Sequence, residues 1–131
     1  MKINFDSLVP VYVQIAEAIE DDIINGTLIE GSPAYSQLVN ARGLNVNPAT
    51  AAKGINVLVA KGILEKQRGT SMVVAHGALD TLLSQRRENG FNQLVLNLVA
   101  EAKKIGLLEA EVVAKIGDCY KNLGLGLEDK V

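Results

Sequence analysis

Cysteine and histidine occur once each, as Cys119 and His76, and tryptophan is missing from the 131 residues. One thiol excludes an internal disulfide, and one imidazole excludes a histidine-rich metal site. We therefore expect no metal and no cofactor. A Ser-His-acid set needs a well-placed His, and no Gly-rich phosphate loop is present, so an enzyme is not expected either. Two Phe and three Tyr are too few for the stacking platforms that hold single-stranded nucleic acid. No window reaches the roughly 18 uncharged apolar residues of a membrane span, and Asp6 and Pro10 fall where a signal peptide needs an apolar run. The expectation is a cytoplasmic protein without a membrane partner. Neither sign of charge dominates: 13 Lys and Arg stand against 15 Asp and Glu, a net charge of -2. Taken globally, that balance argues weakly against nucleic acid. With 48% hydrophobic residues, a chain of this length forms one compact unit, or one plus a small appendage.

Apolar periodicity supplies the organisation. After Pro10, residues Tyr12, Ile15, Ala16, Ile19 and Ile23 recur at helical spacing, and Asn25-Gly26 ends the run. Glu17, Glu20, Asp21 and Asp22 are expected to make the solvent side of this helix acidic; a cation site there would lack a loop scaffold. TLIEGSP is turn-rich. Ser36 is an N-cap for a short helix carrying Leu38, Val39 and Ala41, stopped at Gly43. Asn47-Pro48 reads as N-cap and first helical position of a helix over 48–61, with Ala51, Ile55 and Leu58 inward, Thr50 and Lys53 outward, and Gly62 as the stop. ILEKQRG and SMVVA around Arg68-Gly69-Thr70 form a β-hairpin. AHGA reads as a linker. Beyond it, helical patterns run through Leu79, Leu82 and Leu83, resume after Gly90 with Phe91, Leu94, Val95, Leu98, Ala102 and Ile105, and continue in a last helix with Val112, Val113, Ile116, Tyr120 and Leu123. That helix is expected to end at Gly124, with a frayed tail after it.

The expected fold is mainly α with a small β-hairpin: an N-terminal winged helix-turn-helix over residues 1–75, a linker at 76–78 and a two-helix part over 79–131. In that order of elements, a helix of about 10 to 12 Å diameter fits a major groove of roughly 12 Å and presents its first turns to base edges. Charge distribution agrees. Between residues 42 and 68 stand Arg42, Lys53, Lys61, Lys66 and Arg68 against Glu65 alone. The two C-terminal helices carry more apolar surface than they can bury between themselves. The economical partner is a second copy of the chain.

The stretch from Pro10 to Ala75 resembles the GntR family of bacterial transcription regulators. Pro10-Val11-Tyr12, Gln14-Ile15, Asn25-Gly26, Thr50 and Gly62-Ile63-Leu64 all stand at the family's spacing. The NPxT helix start and the short C-terminal part resemble the YtrA-type subfamily, and the larger effector domains of other branches have no room here. The resemblance implies a homodimer on a pseudo-palindromic double-stranded DNA operator, acting as a repressor near transporter genes and open to control by a small-molecule effector. It places Ser36 near phosphate, Asn47, Ala49 and Thr50 at the start of the reading helix, Lys53 one turn further, and Arg68, Gly69 and Thr70 at the wing tip, with Arg42 and Lys66 as supporting cations. Dimerisation would fall to Phe91, Leu94, Val95, Leu98, Ile105, Val112, Ile116 and Tyr120.

Departures from the family pattern bear on these roles. Leu38 stands where the family has a phosphate-contacting Arg, Asn40 where it has a buried Leu, Pro48 and Ala52 where Arg is frequent, and Ser71 for the second wing glycine. Fewer cations mean fewer phosphate contacts. Alternatives stay open at this point. Lys53, Lys66 and Arg68 are either solvated charges or phosphate contacts, Thr50 a helix former or a base reader, Gly69 a turn residue or a DNA contact. Cys119 belongs to core or interface, with redox sensing as the lesser reading. The Leu94–Ile105 stripe is an interface or a pocket. A different class of function competes with all of this: a protein-interaction module whose winged helix has lost DNA binding.

Overall fold

The computed structural model describes residues 3–34, 46–67 and 72–128. The short helix expected from Ser36 to Gly43, Arg42 within it, and the wing tip Arg68-Gly69-Thr70 lie outside the described residues. The chain forms two compact units, Met1–Arg86 and Arg87–Val131.

In the first unit α1 spans Val11–Ile24 and buries Ile15, Ala16, Ile19 and Ile23. No side chain caps it; Gln14 secures its start instead. The Gln14 amide donates to the carbonyls of Asn4 and Val9 at 2.8 and 2.9 Å, and its oxygen accepts the Asn4 N–H at 2.8 Å. The next described helix, α2, spans Pro48–Ala60. Asn47 caps it through Oδ1, which accepts the Ala49 N–H at 2.8 Å. At its other end Gly62, with φ of 77°, lets the Gly62 and Ile63 N–H groups return to the Val59 and Leu58 carbonyls at 3.0 and 2.9 Å. That double closure satisfies carbonyls the helix would otherwise leave open.

Strand β1 (Leu64–Lys66) pairs antiparallel with β2 (Met72–Val74), in the register Leu64 to Val74, Glu65 to Val73 and Lys66 to Met72. The turn-rich segment before residue 35 does more than turn. Ala34 N–H donates to the Met72 carbonyl, Val74 N–H to Ser32, and Gly31 N–H to Val74, all within 2.9 Å. The far edge of β2 is thereby paired by residues 31–34. Leu28, Ile55, Leu58, Ile63, Leu64 and Val74 complete the core with the inner face of α1.

Helix α3 (Ala78–Gln85) also contributes to this core, through Ala78 and Leu82. The linker expected at 76–78 is therefore not where the compact unit ends. Burial of those two side chains carries it on to Arg86. Glu30, distant in sequence, caps α3: its carboxylate accepts the Gly77 N–H at 2.8 Å and the Leu79 N–H at 3.4 Å, with His76 Nδ1 at 3.4 Å. The Gly77 bond, joined by the Leu79 bond and the nearby imidazole and partly opposed by desolvation, lowers the Glu30 pKa.

Buried Glu20 departs from the solvated acidic face expected of α1. It lies 3.3 Å from Lys61 Nζ and 3.6 Å from Arg86 Nη2, and Arg86 also reaches Asp21 at 2.8 Å. A carboxylate taken out of water needs such partners.

Gly90, which interrupts the apolar pattern, ends a single wide π-helical turn, Arg86–Gly90. The second unit contains α4 (Phe91–Lys104) and α5 (Glu109–Glu128). Gly106, at φ of 79°, closes α4 as Gly62 closes α2. Glu111 Oε1 reaches back to accept the Leu108 N–H at 3.0 Å, one half of a capping box at the start of α5. This helix continues to Glu128, past the expected stop at Gly124. Ala102 is the buried residue of α4, while Phe91, Leu94, Val95, Leu96, Leu98 and Val99 are exposed. Cys119 is exposed as well and forms no part of a core within the chain.

A Cβ on Gly54 would stand 2.9 Å from the Tyr12 carbonyl oxygen and 3.1 Å from the Ile15 side chain. Gly54→Ala should lower stability by about 1–3 kcal/mol in urea unfolding, because overpacking against backbone outweighs a helix-propensity gain of about 1 kcal/mol. A stability gain would show that the two helices separate freely. For Glu30, a lowered pKa means its contribution is fully present above the ordinary carboxylate range and is lost as pH falls through the depressed value. The melting temperature of Glu30→Ala should lie below that of the unmodified protein by a constant margin near neutrality and converge with it in acid. A margin that persists at about pH 2 would contradict the linkage.

Candidate nucleic-acid interface

Helix periodicity decides which residues of α2 face outward. Gly54, Ile55 and Leu58 are buried, with Ala51 half-buried beside them. The opposite side carries Ala49, Lys53 and Asn56, all exposed and spaced at i, i+4 and i+7. Asn47 and Pro48 extend this surface at the helix start. Thr50, expected to point outward, is half-buried on the flank of the helix. Its place on the helical wheel, a hundred degrees from Ala49, turns it towards the Val57 side. Asn56 had no role assigned from sequence. It stands about 60° from Lys53 on the helical wheel and nearly in line with Ala49, and its amide offers both donors and an acceptor.

Electrostatics narrow the set of cations. Lys61 is committed to Glu20. Lys53 Nζ lies 4.2 Å from the centroid of the Tyr12 ring, within cation–π range. Lys66 is exposed at the end of β1, opposite Met72 and next to the wing tip. Among the described residues, then, Asn47, Ala49 and Lys53 share one surface of α2, while Lys66 stands on the hairpin. Ser36, Arg42, Arg68, Gly69 and Thr70 fall outside the described residues.

Tyr12 is the participant that sequence reasoning passed over as core. Its position among Ile15 and Ile19 on the helical stripe gave that impression. The signal that could have found it is the pairing of an aromatic in the first turn of α1 with a glycine in α2, where close approach brings neighbouring side chains together.

No helix among the described residues is long and apolar enough to cross a membrane. No family model matches the chain. Among proteins of Bacillus subtilis it is similar to the uncharacterized HTH-type transcriptional regulator YhcF, 26% identical over 86% of this chain and 92% of YhcF. The HTH-type regulator YdeF is 34% identical over 53% of this chain, and the HTH-type repressor NagR 29% identical over 63%. The chain spans only 15% of YdeF and 34% of NagR. A solved GntR family transcriptional regulator from Listeria monocytogenes superposes with a TM-score of 0.70 at 27% identity, covering 87% of this chain and 98% of that one. YtrA from Sulfolobus acidocaldarius, a GntR-family transcription factor, superposes at 0.54 with 26% identity over 95% and 99%. BusR of S. agalactiae, solved in complex with its busAB-promotor DNA, shares the fold at a TM-score of 0.54 and 23% identity, over 88% of this chain and 57% of BusR. With such folds matched along nearly its whole length and helix-turn-helix regulators as its sequence relatives, the chain has a GntR-like winged-helix fold and resembles transcription regulators of that kind in sequence.

Proposed function

We propose that the chain acts in the cytoplasm as a homodimeric repressor on a pseudo-palindromic operator, with α2 in the major groove and the β1–β2 hairpin against the adjacent backbone. The observation that carries this reading is the outward stripe Ala49, Lys53 and Asn56, continuous with the Asn47 cap and held on a rigid helix. The N-terminal domain of 1–75, extended by α3, binds DNA; the helices beyond it dimerise. Support for a DNA partner comes from BusR, whose structure contains promoter DNA, and for repression from NagR.

Dimerisation rests on uncovered apolar surface. Leu94 is 65% exposed and Tyr120 77%, and Phe91, Val95, Leu98, Ile105 and Ile116 join them, with Val112 half-buried. Exposed apolar residues this dense mark an interface. A second copy fits because the same residues supply both sides of a two-fold contact. The pair of reading helices would then meet DNA about one turn apart, roughly 34–36 Å. A small-molecule effector would act by shifting the population that holds this spacing.

The competing reading, a protein-interaction module, draws on the scarcity of cations once Lys61 is paired with Glu20. Specific retardation of the DNA upstream of the protein's own gene at moderate salt eliminates it.

Two measurements test the proposal. Lys53→Ala and Arg68→Ala should each weaken operator binding by about 1 kcal/mol while leaving the thermal melt in place, and each should reduce the salt slope by about one. Unchanged anisotropy titrations in both variants would remove these residues from the interface. In light scattering at micromolar concentration the protein should have twice the 14.0 kDa mass of one chain, and the double substitution Leu94→Asp, Leu98→Asp should reduce it to one. A monomer in the unmodified protein refutes the dimer.

A further inference from the structure

We propose that Tyr12 is the positioning residue for Lys53, its ring holding the Lys53 ammonium at a fixed place over the start of α2 so that the charge meets a DNA phosphate already aimed. The proposal rests on the DNA-binding reading above and adds to it a residue from a different helix.

Three observations converge on it. The Lys53 ammonium lies 4.2 Å from the Tyr12 ring centroid, where the negative face of the ring attracts a cation. Lys53 is itself exposed, and among the described residues no carboxylate pairs with it. The backbone beneath the pair is fixed, because Gly54, the neighbour of Lys53, is the residue whose missing Cβ lets α2 approach the Tyr12 carbonyl. Ring and ammonium therefore meet as a consequence of the close approach of α1 and α2 at Gly54.

Chemistry gives the arrangement a purpose. A lysine side chain has many rotamers and surrenders them when it engages a phosphate. Stacking on Tyr12 removes much of that freedom beforehand. The ammonium has three donors, and contact with the ring occupies one side of it, leaving N–H groups for phosphate oxygens. In a chain with few cations at its interface, one lysine held ready carries a correspondingly larger share of the phosphate contact.

The test uses the full chain, DNA from upstream of its gene, and anisotropy titrations between about 50 and 200 mM salt. Tyr12→Phe keeps the ring and should bind as the unmodified protein does. Tyr12→Leu should bind about two- to five-fold more weakly, with the salt slope unchanged because the charge remains. Lys53→Met should weaken binding and lower the slope by about one, and adding Tyr12→Leu to it should cause no further loss. A further loss of the same size in that background overturns the proposal, since the ring would then support the fold and not the lysine. So would a Tyr12→Phe loss as large as that of Tyr12→Leu, which would assign the effect to the hydroxyl.

A DNA-independent readout keeps the two levels apart. The Lys53 ε-methylene protons should be shifted upfield by the ring current in the free protein, and the shift should survive in Tyr12→Phe and vanish in Tyr12→Leu. Unshifted protons in the unmodified protein overturn the positioning role even where DNA binds. Shifted protons in a protein that binds no DNA instead overturn the DNA reading, and the phosphate role of Lys53 with it.

Discussion

The distance between α1 and α2 is the constraint on which the first unit depends, and one glycine sets it. A Cβ at Gly54 would lie 2.9 Å from a backbone oxygen of α1, closer than any side chain tolerates without movement of the helices. That approach buries Ile15 and Ile55 in one core, leaves Ala49, Lys53 and Asn56 outside, and sets Lys53 above Tyr12. The hairpin follows from the same placement. Ile63 and Leu64 enter the core directly after α2 ends, so β1 departs from a fixed point, and β2 is held on both edges, by β1 and by residues 31–34. The surface presented by α2 is thus the outer side of a packing decision made on its inner side.

Net charge describes this molecule poorly because its charges are consumed unequally. Glu20 is buried with Lys61 and Arg86 beside it, and Asp21 shares Arg86. Burying a carboxylate costs free energy that close cations recover only in part, so the network is better understood as fixing register among α1, α2 and the end of α3 than as a source of stability. Its side effect is to remove Lys61 from the cations facing solvent and to mask part of the acid on α1. What is left for a polyanion is sparse. If the chain binds DNA, it would have little non-specific electrostatic attraction to draw on and would rely on where its few charges stand.

Local signals in the sequence were legible to the residue. The Asn47 cap, Pro48 in the first turn and Gly62 after the last each act on groups within a few positions, and the two strands of the hairpin come from short β-prone runs close together in the chain. Tertiary partners were not legible. Glu20 looked solvated because helical spacing alone does not reveal Lys61 and Arg86. Glu30 sat in a stretch read only as turns, yet it caps a helix that begins at Ala78. The linker was placed at small residues without periodicity, although Ala78 and Leu82 bury against the N-terminal core. The candidate site divided along the same line: the outward placement of Asn47 and Lys53 was readable from the helix start, whereas that of Tyr12 and Asn56 required knowing which side of α2 faces its neighbour.

The two units differ in what keeps them folded, and that difference bears on how the regulator would work. The first unit encloses its own core. The second leaves most of its large apolar side chains in water, and isolated helices of 14 and 20 residues gain little from propensity alone, since most helical stability in proteins comes from packing an apolar face. Their folding therefore depends on what covers them. If a second copy does so, the stability of α4 and α5 rises with protein concentration by mass action, while that of the winged helix does not. Assembly and DNA recognition would then be coupled through occupancy: a separated chain keeps an intact reading head but lacks the ordered helices that space two such heads on an operator.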